Sequence, residues 1–117
     1  MLWIDRAFAF LLLLGAVGHT IGSFSLLEPG SQIQVWSLGS ALCAFLLGAL
    51  NWVRAGRATD TTLGWIAGVG SLGWFAVAIG FGLSIGHLGD FRVVWHGACA
   101  LALTIFSIRT IVLAESA

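Results

Sequence analysis

The sequence predicts an all-α integral membrane protein, a four-helix transmembrane bundle of up-down topology with both termini cytoplasmic (N-in/C-in). Three observations predict it. Residues 7–27, 29–53, 61–89 and 93–108 contain no Asp, Glu, Lys or Arg, and a hydrocarbon core of roughly 30 Å is crossed by about 20 apolar helical residues. Hydrophobic residues make up 59% of the chain and charged residues 9%, well under the roughly 25% charge of soluble domains. The few charges punctuate the apolar runs instead of interrupting them, so the whole chain, residues 1–117, reads as one transmembrane domain.

Helix 1 is expected over residues 2–26. Arg6 ahead of Ala7–Val17 has the outline of a signal peptide, but the apolar run continues through residues 18–27 and no A-x-A site ends it. Helix 1 stops before Glu28-Pro29-Gly30, because proline disfavours helical geometry at the residue before it and Pro-Gly marks a turn. Helix 2 is expected over 31–53 with Ser31 as its N-cap. Residues 54–60, with Arg54, Arg57 and Asp60, form the one clearly polar linker. Helix 3 follows over 60–86, capped by Asp60 or Thr59. Helix 4 covers 92–113 and qualifies as a span once Arg109 snorkels from its end.

Arginines set the orientation, since the chain has no lysine. Four spans put Arg6, Arg54, Arg57 and Arg109 on one side and Arg92 alone on the other, and the positive-inside rule makes the richer side cytoplasmic. Trp3, Trp52 and Trp65 fall at the inner interface and Trp36 and Trp95 at the outer, as aromatic belts require. Trp74 alone is left in mid-membrane. Small size and compact loops suggest a bacterial inner membrane.

Several function classes are disfavoured. A net charge of zero gives no electrostatic footprint for nucleic acid, so the expected partners are the lipid bilayer and a second copy or a larger membrane complex. Cys43 and Cys99 lie inside spans and suggest no disulfide framework; they read as small apolar residues. Walker, nucleophile-elbow, C-x-x-C and H-E-x-x-H patterns are absent. Asp5 lies too near the start of helix 1 to count as a membrane-embedded carboxylate, which leaves ion-coupled transport poorly supported.

Glycines within the spans read as packing positions: Gly15, Gly18 and Gly22 on helix 1, Gly64 and Gly68 on helix 3. Small residues let backbones approach in lipid, where no hydrophobic force drives helices together. Polar residues gather on faces at 100° per residue. Asp5, His19 and Ser23 share a face of helix 1, Ser37, Ser40 and Asn51 one of helix 2, and His96, Ser107 and Cys99 one of helix 4. Helix 3 has no polar face on this reading.

The sharpest constellation is formed by the histidines. At 1.5 Å per residue, His19 lies roughly 10 Å and His96 about 6 Å inside the outer boundary, with His87 at the surface and Glu28 and Asp90 in the adjoining loops. Helices 1 and 4 of an up-down bundle are neighbours, so His19 and His96 are expected to face one another. Imidazole ligates metals and handles protons near neutral pH. Two readings follow. In the leading one the chain has no enzymatic role and is an accessory subunit or a binder of a small hydrophobic ligand. Its site lies in the outer half, lined by His19, His96, Ser23, Ser40, Trp95 and Cys99. In the alternative, a redox protein uses His19 and His96 as axial ligands of haem b, or His19, His87, His96 and Asp90 to hold a transition metal. A small oligomeric transporter or channel is the third possibility.

Overall fold

The computed structural model describes residues 1–116 as four helices: α1 (Leu2–Leu26), α2 (Gln32–Ala55), α3 (Thr61–Ser84) and α4 (Phe91–Glu115). Each is long and apolar enough to cross a membrane. At 51 × 25 × 21 Å the molecule is elongated along its helices. The expected helix starts are found because the caps form. Ser31 Oγ accepts from Gln34 N at 3.2 Å, Asp60 Oδ1 from Leu63 N at 3.0 Å and Asp90 Oδ1 from Arg92 N at 2.9 Å, each filling an amide that the first helical turn leaves open.

Helix α3 ends two residues earlier than the sequence suggests. Gly86 turns left-handed at φ 68°, and His87 N and Gly86 N donate back to the Gly82 and Leu83 carbonyls at 2.9 and 3.1 Å. This is a Schellman closure, which glycine forms without steric cost. Helix α2 runs two residues further than expected, and the extension takes Arg54 out of the linker and into the helix. The reason is a buried partner, described below.

Helix α1 packs most extensively on α2 and α3 on α4, with α1 against α4 joining the two pairs. The interior is built mainly of small side chains: Ala9, Ala16, Ala41, Ala44, Ala67 and Ala100 are buried beside Leu12 and Leu103. Glycine allows the closest approaches. A Cβ at Gly64 would stand 2.9 Å from Ile111 Cγ1, one at Gly48 2.8 Å from Leu13 Cδ2, and one at Gly68 3.2 Å from Ser107 Cβ. Large apolar side chains such as Ile21, Phe24, Ile33, Val69 and Ile105 point outward, the arrangement a lipid-facing surface requires.

A polar network ties all four helices together at the end of the bundle that holds the 54–60 connection. The Arg54 and Asp5 side chains are wholly buried and meet at 2.5 Å. Arg109 Nη2 reaches the other Asp5 oxygen at 3.1 Å. Arg54 also donates to Asn51 Oδ1, to Thr110 Oγ1 and to the Phe106 carbonyl at 2.9–3.1 Å, and Asn51 Nδ2 donates to Ser71 Oγ at 3.1 Å. One expectation is corrected here: α3 does present a buried polar group, Ser71. Asp5, which reads from sequence as a charge at the start of helix 1, is wholly buried among the helices. The Asp5 carboxylate is what draws Arg54 inward, because a buried ion survives only when paired and hydrogen-bonded.

Candidate functional site: a histidine-lined cavity

The opposite end of the bundle is open. Between α1 and α4 lies a cavity of about 590 Å³, reached by Gly18, Gly22, Ser23, Ser37, Phe81 and Trp95 along with His19 and His96. A smaller one of about 110 Å³ continues toward α3, where Ser40, Trp74, Val77 and Ala78 join the same two histidines. His19 and His96 therefore stand between the two spaces. Their ring centroids are 6.3 Å apart and edge to face, with planes at 79°. The expected meeting of helices 1 and 4 through these residues is what the structure contains.

Other expected site residues divide. Ser23 and Trp95 border the larger cavity and Ser40 the smaller. Cys99 lies instead in the apolar core with Ala9, Leu12 and Leu103, and Cys43 is exposed, so the two thiols serve different surroundings. His87 is exposed in the α3–α4 turn, and Asp90 caps α4 while pairing with Arg92 at 2.9 Å. Among the described residues no three of His, Cys, Asp and Glu converge as metal ligands, so His87 and Asp90 do not complete a site with His19 and His96.

The helix 1 glycines also divide. Gly15 is a contact: a Cβ there would stand 2.9 Å from both His96 Cε1 and Trp95 Nε1. Gly18 and Gly22 would meet nothing within 4 Å. Their lack of side chains leaves space in the cavity wall and serves no helix contact within the chain.

Hydrogen bonding fixes the histidine protons. The indole N–H of Trp74 donates to His96 Nδ1 at 3.2 Å, and an indole can only donate. Nδ1 is therefore the bare nitrogen and the His96 ring proton sits on Nε2. For His19 the argument runs through two serines. Ser23 Oγ donates its single proton to the His19 carbonyl at 2.8 Å. Ser37 Oγ, 2.6 Å from Ser23 Oγ, must then be the donor in that pair. With its proton spent, Ser37 accepts from His19 Nε2–H at 3.1 Å. His19 thus keeps Nδ1 bare.

Axial ligation by His96 would require the ring to give up the Trp74 N–H or to move its proton from Nε2. A metal takes the lone pair of a neutral imidazole, and on His96 that lone pair is already occupied by Trp74 while the other nitrogen is protonated. Neither Trp74 nor Ser37 was assigned a role from sequence. The signal for Trp74 was its position, as the one tryptophan away from both interfaces. The signal for Ser37 was its place on the polar face of helix 2.

Arg92 is the one formally charged side chain lining either cavity among the described residues. It is held by both oxygens of Asp90, at 2.9 and 3.0 Å, and its guanidinium lies 4.8 Å from the Phe81 ring centroid. The cavity mouth therefore carries a neutralised ion pair. No protein-family model, curated protein or solved structure matches the chain, and the site is read from its own geometry.

Proposed function

We propose that this protein is a small polytopic membrane protein without enzymatic activity, alone or as an accessory subunit, and that it binds a small, mainly apolar ligand between α1 and α4. The observation that carries the reading is the cavity of about 590 Å³. Its volume falls in the 300–1,000 Å³ typical of small-molecule pockets, which are mostly apolar with a few placed polar groups. The walls supply apolar side chains, two glycines that leave room, and two histidines with a hydroxyl pair. Because Asp90 neutralises Arg92, the site offers no unpaired charge to a charged ligand.

The proposed setting is a bacterial inner membrane, with both termini cytoplasmic and the cavity in the outer half. Arg54 and Arg109 answer to Asp5 inside the bundle, so Arg6 and Arg57 carry the orientation argument. They stand against Arg92 alone; Arg57 and Arg92 each have an aspartate partner, Asp60 at 3.9 Å and Asp90 at 2.9 Å, so the count is two arginines to one. Native mass spectrometry of protein released from its own membrane in mild detergent tests the function. A small apolar adduct held one to one is the expected result, and a bare chain under conditions that preserve the fold would sink the reading.

A further inference from the structure

Resting on that binding reading, the hydrogen-bond directions specify the polar head of the ligand. Nitrogen by nitrogen, the histidine pair has one acceptor and one donor that no side chain engages. His19 Nδ1 is bare, since Nε2 carries the proton that Ser37 receives. His96 Nε2 carries a proton, since Nδ1 receives the Trp74 N–H. The Gly15 backbone stands beside the His96 ring as a competing acceptor. The buried side-chain polar atoms without a partner among the described residues are Arg6 Nε and Arg109 Nη1 alone. Both free histidine nitrogens are therefore accessible, and the open space beside these rings is the two cavities.

One acceptor and one donor on rings 6.3 Å apart match a group that both gives and takes a hydrogen bond. A hydroxyl does this with a single oxygen, which donates to His19 Nδ1 and accepts from His96 Nε2–H. An ether or ketone leaves His19 Nδ1 unmet, and a hydrocarbon leaves both unmet. A carboxylate has no proton to give and would bring an uncompensated charge beside Arg92, already held by Asp90. We propose that the site selects a neutral, membrane-dissolved alcohol or phenol, its hydroxyl seated between His19 and His96 and its apolar body lying along Gly18 and Gly22 toward the cavity mouth. Leaving a buried polar atom unpaired costs more than pairing it gains, so the preference is for a complete match.

The test compares 1-dodecanol, dodecyl methyl ether and dodecane on the wild-type protein in lipid nanodiscs, with binding read by displacement of a radiolabelled dodecanol. Imidazole ¹⁵N shifts of histidine-labelled protein are recorded in parallel. Dodecanol is expected to bind about tenfold or more tighter than the ether or the alkane. His19 and His96 should both show the Nε2–H tautomer, with the His19 Nδ1 resonance moving on addition of dodecanol and not of dodecane. His19→Phe should bring the alcohol down to the level of the ether. If all three probes bind alike, the hydroxyl inference falls while the cavity reading survives. If none binds, the cavity reading itself falls. An Nδ1–H tautomer at either histidine in the ligand-free protein would overturn the donor–acceptor assignment directly.

Discussion

Asp5 Oδ1 and Arg54 Nη2 meet across the α1–α2 contact with both side chains fully shielded, at the end of the bundle away from the histidine cavity. The two ends thus have opposite characters. One is closed by a buried ionic network that joins all four helices, and the other is held open by glycines and a pair of imidazoles. A bundle clamped at one end can keep an unfilled space at the other without losing register.

The clamp should dominate stability. Removing Asp5 as Asp5→Asn leaves Arg54 and Arg109 facing no carboxylate, and a broken buried pair costs about 3–5 kcal/mol. Arg109→Gln should cost less, because Asp5 keeps Arg54. Unfolding in rising SDS, followed by circular dichroism, orders the variants. Equal midpoints for Asp5→Asn and Arg109→Gln would contradict the network as described.

The glycines should separate into two classes. Gly64→Leu forces a side chain against Ile111 and Gly48→Leu one against Leu13 and the Ala9 carbonyl, with an expected loss of about 1–3 kcal/mol from overpacking. Gly18→Leu and Gly22→Leu enter open space and should leave the unfolding midpoint close to wild type. Destabilisation by the second pair, matching the first, would place them at a contact the structure lacks.

Purified wild-type protein should be colourless and should not take up added haem as a bis-histidine complex, because Trp74 occupies His96 Nδ1 and the remaining nitrogen is protonated. Trp74→Phe releases that lone pair and should raise haem affinity. Visible absorption during a haem titration reads both. A bis-histidine band in wild type that disappears in both His19→Ala and His96→Ala would restore the redox reading.

The Asp90–Arg92 pair at the cavity mouth should break only in acid. Hydrogen bonds from Arg92 hold the Asp90 carboxyl down to about 2 from its ordinary 3.8. A carboxyl lowered in the folded state contributes stability that is fully present above its ordinary value and fades as pH falls through the lowered one. The difference in unfolding midpoint between wild type and Asp90→Asn should therefore shrink between roughly pH 4 and pH 2, and a difference that persisted unchanged to pH 2 would contradict the pairing.

How far the sequence could be read depends on the range of the interaction. The four helices were legible because uncharged runs and their punctuating turns are local features, and the His19–His96 meeting followed from two residues at the same end of neighbouring helices. The ionic clamp was not. Its members are 49 and 104 residues apart along the chain, and each looks ordinary where it stands: Asp5 as a flanking charge, Arg54 as the first residue of a polar linker. The grouping of Asp5 with His19 and Ser23 on one helical face held as angle but not as place, since Asp5 lies in the clamp and the other two at the cavity. Gly18-x-x-x-Gly22 has the spacing of a packing motif, and spacing cannot tell a helix contact from the wall of a void. Cys99 illustrates the same limit. It shares a face with His96 and Ser107, yet one helical turn deeper it meets Leu12 and Leu103.

The central claim, that the space between α1 and α4 is a binding site, is tested most directly by filling it. Native mass spectrometry of wild type beside the Gly18→Leu/Gly22→Leu double variant, both extracted from the same membrane, should show a small adduct on the wild type and none on an equally stable variant. The same adduct on both proteins, or on neither, would contradict the account.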